Sequence, residues 1–161
     1  MAIAASCLTG VATSREASAA DPSNEEIITL LKYIQAAPKL PRGTVKSKID
    51  IEEIKMQIVL MGTTSDISPF LSSASNAMLS EVPSLAEEMS GPSDPNTKIK
   101  SEKFKIYKGK NFASYSFKTK DPTSKKWEKI ELIFVKENGT WKVDLVQTMG
   151  VMFKKLLKSK K

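Results

Sequence analysis

Histidine is absent from the 161 residues, and cysteine occurs once, at Cys7. Without His there is no Ser-His-Asp or Cys-His relay and no imidazole ligand for a metal. A single Cys forms neither an intrachain disulfide nor a thiolate cluster. Arginine is nearly missing too, with only Arg15 and Arg42, so the bidentate contacts typical of nucleic-acid readers have few donors. No stretch approaches the ~20 consecutive apolar residues of a membrane-spanning helix. What the chain has in quantity is lysine, which brings Lys+Arg to 25 against 18 Asp+Glu for a formal net charge of +7. The distribution says more than the total. Residues 1–97 carry 7 basic and 12 acidic side chains, while residues 98–161 carry 18 and 6, so the halves stand at −5 and +12. The length suits one domain whose core needs no staple.

The first 22 residues, MAIAASCLTGVATSREASAADP, are small and polar with no sustained period, and are set aside as an export-signal remnant or tether. Ala4-Ala5-Ser6-Cys7 resembles a bacterial lipobox, which makes Cys7 the candidate lipidation site. Ala17-Ser18-Ala19 resembles a signal-peptidase site, and cleavage there would remove Cys7. Either reading predicts an extracytoplasmic protein, lipid-anchored or free, and both need a charged, apolar segment upstream that Met1–Ser6 does not supply. A low-complexity cytosolic N-terminus is the plainer alternative.

A single domain is expected over residues 23–148. Ser23-Asn24-Glu25-Glu26 spells a capping box, and Ile27, Leu30, Leu31 and Ile34 line one face before Pro38 and Pro41, predicting a helix over about 24–36. Pro38 to Lys48 reads as a loop. Ile51, Ile54, Ile58 and Met61 have helical spacing up to Gly62, although Ile54, Met56, Ile58 and Leu60 also alternate as in a strand; the cap at Asp50 and the terminal Gly favour helix. Ser68-Pro69 predicts a helix carrying Phe70, Ala74, Ala77 and Met78 on one face, with another turn from Pro83 to Met89. Met56, Met61 and Met78 are expected to fill the core. The adjacent glutamate pairs 25/26, 52/53 and 87/88 point about 100° apart on a helix and make poor metal-ligand sets. No metal or cofactor is implied.

From Lys98 the period becomes two. Phe104 and Ile106, then Ala113, Tyr115 and Phe117, then Ile130, Leu132 and Phe134, then Trp141, Val143 and Leu145 form the apolar sides of four strands. Asn138-Gly139 is the strongest hairpin signal. Asp144, on the side opposite Trp141 and Val143, reads as a solvated or strand-pairing carboxylate. Residues 149–161 are expected to form a basic helix or a frayed tail. Helices followed by a sheet with one polar face predict an α+β domain, its N-terminal helices packed on a curved four-stranded antiparallel sheet.

The stretch ELIFVKENGTWKVD (residues 131–144) resembles the closing hairpin of nuclear-transport-factor-two-like (cystatin-like) domains of exported bacterial proteins. That resemblance implies a cone-shaped roll enclosing a pocket, with Tyr115, Trp127, Phe134 and Trp141 as candidate wall residues; core packing is the competing role for each. The family hosts binders, dimerisation modules and enzymes. Its isomerase and hydratase members work with Asp, His or Tyr, and no catalytic residue is assigned here.

Lys103, Lys105, Lys118, Lys120, Lys129 and Lys142 fall on the polar sides of the strands and predict a positive outer face. The expected function is therefore non-enzymatic binding of a small apolar ligand or a protein. Two alternatives stand beside it: an Asp/Tyr pocket enzyme, and a basic module that contacts anionic envelope lipid or polymer. Peripheral membrane association through an anchor and a homodimer are compatible with the sequence; the scarcity of Arg and the export signals argue against nucleic acid.

Overall fold

The Ser23 side chain accepts from the Glu26 backbone N–H at 3.2 Å, while the Glu26 carboxylate accepts from the Ser23 N–H at 2.9 Å. Helix α1, Asn24–Ala36, starts on that reciprocal pair, as the capping box requires. The structure is a computed structural model and describes residues 23–89, 96–120, 122–123 and 125–159. After α1 come a short strand β1 (Thr44–Val45), α2 (Lys48–Met61), a 3-10 turn (Ser68–Phe70), α3 (Ser73–Glu81) and α4 (Pro83–Glu88). Strands β2 (Lys98–Tyr107), β3 (Phe112–Lys120), β4 (Glu128–Glu137) and β5 (Thr140–Val143) follow, and α5 (Leu145–Ser159) ends the described chain.

The fold is α+β, with an antiparallel sheet in the order β1-β2-β3-β4-β5. The four strands expected from alternation are all present. A fifth, β1, lies inside the segment read as a loop, where Thr44 pairs with Tyr107 and Val45 with Ile106. Two residues carry no periodicity, so only the pairing reveals it. The sheet is open, since β1 and β5 are its two edges and do not meet.

Helix α2 crosses the apolar side of the sheet and contacts both β2 and β5. Ile54 and Met61 on its inner side join Tyr115, Phe117, Leu132, Phe134, Trp141 and Val143 in one core. Met78 is buried there as expected, but Met56 is exposed, because it lies two residues, about 200° of helix, from Ile54. The helix expected at Ser68 is two elements. Asp66 accepts from the Ser68 N–H and Oγ just before the 3-10 turn, and Ser72 caps α3 by accepting from the Ser75 N–H. Glu137, from the end of β4, reaches back to accept from the Ser73 N–H at 2.7 Å, docking α3 on the closing hairpin.

Leu145 does not extend β5. It opens α5, which begins four residues before the expected basic segment. Asp144 accordingly changes role: its carboxylate accepts from the Gln147 N–H at 3.0 Å as the helix N-cap, and it is buried rather than solvated. Beyond the end of β5 the free edge of β4 is covered by this turn. The Asp144 N–H bonds Ile133 O at 2.8 Å, and Thr148 Oγ1 accepts from the Ile133 N–H at 2.9 Å. A blunted edge of this kind resists pairing with another chain.

Candidate functional site

The register decides which side chains share the outer face. Directly opposite residues on neighbouring strands point to the same side, and Lys100 faces Lys118 across β2–β3 while Lys118 faces Lys129 across β3–β4. Three lysines thus stand in one cross-strand row. Lys98 faces Lys120 in the next row, and Lys103 and Lys105 continue the same side opposite Ser116 and Ser114. Lys142 faces Val135 on this side as well, but its Nζ is tied to Pro69 O at 2.6 Å. Among the described residues no carboxylate lies within ion-pair distance of Lys100, Lys118 or Lys129.

Lys98 and Lys100 were not legible as members of this face. Counting by twos back from Phe104 and Ile106 assigns them to the core side. A β-bulge between Lys100 and Lys103 adds one residue to β2, with Ser101 at φ 58°, and reverses the parity before it, so that Lys98 and Lys100 turn to the outer side and Ile99 to the other. The available signal was two lysines at positions that alternation would bury.

Trp127 belongs to this outer cluster. Lys100 Nζ sits 3.9 Å from its ring centroid and Lys120 Nζ 5.9 Å, so the indole face attracts two of the cations, at about 0.5–1 kcal/mol each for partly exposed pairs. The other three candidate wall residues are elsewhere. Tyr115, Phe134 and Trp141 lie on the helix-covered side with relative exposures of 1%, 0% and 1%, packed into the core. Tyr115 is sandwiched between Phe104 and Phe117, with ring centroids 4.6 and 4.8 Å away. Its hydroxyl donates to Glu102 Oε1 at 2.5 Å. Burial, reinforced by that carboxylate, pushes the phenol far above its ordinary pKa.

Among the described residues Asp50 and Asp144 are the buried aspartates, and both are engaged. Asp50 accepts from Trp141 Nε1 at 3.0 Å, from Lys136 Nζ at 3.2 Å and from the Ser47 hydroxyl. Burial pushes its carboxyl up, but the hydrogen bonds from Ser47, Trp141 and Lys136 together outweigh burial and hold it below the usual range. For Asp144 burial prevails: it raises the carboxyl, against the lowering by the Gln147 and Val146 N–H groups. Asp50 thus ties α2 to the sheet, and Asp144 caps α5. An open depression along α2 is lined by Lys48, Ile49, Glu52, Glu53 and Met56. Among the described residues no three potential ligands gather around a metal position. Cys7 lies outside the described residues.

Comparison with protein-family profiles, with curated proteins and with solved structures finds no match for this chain.

Proposed function

We propose that this protein is a non-catalytic interaction module whose outer sheet face holds an extended polyanion, a polymer bearing phosphate or carboxylate groups. The in-register row Lys100–Lys118–Lys129 carries the reading. Like charges directly opposite each other weaken a sheet by roughly 0.2–1 kcal/mol per pair, and a bound anion reverses the sign of that contribution. Edge protection, the usual reason for strand lysines, does not reach Lys118, which sits on the central strand. The helix-covered side favours the outer face over an enclosed ligand, because Tyr115, Phe134 and Trp141 pack there without accessible space.

The nuclear-transport-factor-two-like resemblance belongs to the same reading as its scaffold, used here through the outside of the sheet. Export, with anchorage through Cys7 or release after Ala19, would bring that face to the anionic polymers of a bacterial envelope.

The test is titration of the full chain with long-chain polyphosphate, followed through Trp fluorescence at several salt concentrations. Wild type is expected to bind with an affinity that falls steeply with salt. The triple variant Lys100→Gln, Lys118→Gln, Lys129→Gln is expected to bind at least about tenfold more weakly, with a shallower salt slope and an undiminished Tm. Equal binding by the triple variant, or no binding by wild type, overturns the proposal.

A further inference from the structure

Helices α1 and α5 run antiparallel. Gln147 Nε2 donates to Pro38 O, just past the end of α1, and a Cβ added to Gly150 would sit 3.6 Å from Ile34 Cγ2. Residue numbers therefore rise along one helix as they fall along the other, which directs the last turns of α5 toward the end of the molecule where α1 begins. There the apolar stripe of α5 outruns the core. Leu145 and Val146 are buried and Met149 packs against the core, but Phe153, Leu156 and Leu157, which continue the stripe, are 38%, 54% and 67% exposed. Ile27, Ile28 and Leu31 of α1 are exposed toward the same end.

The charge around this patch has one sign on α5. Lys154, Lys155 and Lys158 flank the stripe, and residues 145–161 contain no Asp or Glu. Lys155 pairs with Glu131 at 3.1 Å, leaving Lys154 and Lys158 exposed. On α1, Glu26 is turned aside to Ser84, accepting from its N–H and its hydroxyl, which leaves Glu25 as the exposed carboxylate of that first turn.

We infer that this end of the molecule docks on an anionic lipid surface, with the Phe153/Leu156/Leu157 stripe and the neighbouring α1 residues entering the interface and the lysines meeting the headgroups. An amphipathic helix with an apolar face and a purely basic border has the chemistry of an interfacial helix lying in the plane of the membrane. Among the described residues no helix is long and apolar enough to cross a membrane, so α5 lies on the surface. A second copy is a poor occupant because a two-fold contact would oppose the same lysines. The inference rests on α1 and α5 and stands apart from the polyanion face of the sheet.

Co-sedimentation of the full chain with phosphatidylcholine vesicles, with and without phosphatidylglycerol, tests it. Wild type is expected to bind only the phosphatidylglycerol vesicles. Leu156→Ser with Leu157→Ser is expected to weaken that binding by about tenfold or more, with the Tm little changed because both side chains are more than half exposed; Lys154→Gln with Lys158→Gln should weaken it too. The sheet variant Lys100→Gln, Lys118→Gln, Lys129→Gln is expected to bind as wild type does. Absence of vesicle binding overturns the inference, as does undiminished binding by the stripe variant or an equal loss in the sheet variant. A concentration-dependent dimer that dissociates in the stripe variant, without vesicle binding, would assign the patch to a second copy instead.

Discussion

Trp141 Nε1 donates to Asp50 Oδ1 across 3.0 Å, joining residues 91 positions apart and fixing the first turn of α2 against the last strand. The same oxygen receives Lys136 Nζ, so one carboxylate aligns the helix that covers the sheet. Removing it leaves a buried indole N–H and a half-buried ammonium without their acceptor. Asp50→Ala is expected to cost about 2–3 kcal/mol, whereas Asp50→Asn, which keeps an acceptor for the indole, should cost about half as much. Urea denaturation followed by Trp fluorescence measures both, and equal losses would mean that the negative charge of Asp50, rather than its role as acceptor for the indole, carries the effect.

The two buried aspartates impose opposite pH dependences. Asp50 titrates lower in the folded protein than in the unfolded chain, so the stability it contributes is present above the unfolded value and is lost as pH falls through the folded one. Asp144 titrates higher when folded, so its contribution declines as pH rises from the ordinary carboxylate value through the raised one. Asp144→Asn keeps a capping acceptor for the Gln147 N–H and removes the buried charge. It should be at least as stable as wild type at pH 7, while Asp144→Ala should lose about 1 kcal/mol. Thermal melts from pH 3 to pH 8 check this, and the Asn variant should lack the Asp144 share of the slope.

The lysine row predicts an inverse relation between stability and binding. In the absence of polyanion, Lys118→Gln should raise stability by a few tenths of a kcal/mol, because it removes two like-charge contacts at once. Added sodium chloride should raise the Tm of wild type more than that of the variant, since screening acts on the same repulsion. Identical salt dependence in the two proteins would show that the three ammonium groups already splay apart.

Gly139 closes the β4–β5 hairpin at φ +78°, next to Asn138 at φ +51°. A Cβ at Gly139 would meet nothing within 4 Å, so the cost of Gly139→Ala is purely one of backbone conformation, about 1 kcal/mol. Asn138→Gly should be close to neutral. Differential scanning calorimetry of the two variants separates backbone strain from packing here.

Where information is local, the sequence by itself determined the element. The capping box at Ser23, the helical spacing from Ile51 to Met61, the alternation through Phe104, Tyr115, Leu132 and Val143, and the Asn138-Gly139 turn are each written within a few residues, and each appears where those residues put it. The acidic and basic halves were likewise countable. The tertiary structure decided what depends on pairing across long separations. It alone made Thr44–Val45 a strand, because two residues have no period to read. It turned Asp144 from a surface carboxylate into a buried cap, because β5 ends where β4 still needs its edge covered. It moved Lys98 and Lys100 to the outer face through a one-residue bulge, which reverses the parity of a strand and is marked in the sequence only by those two lysines at positions that alternation would bury. The row of three lysines exists only through that reversal, since a side chain's face depends on the count of residues to its partner strand, and that count is settled by the whole sheet.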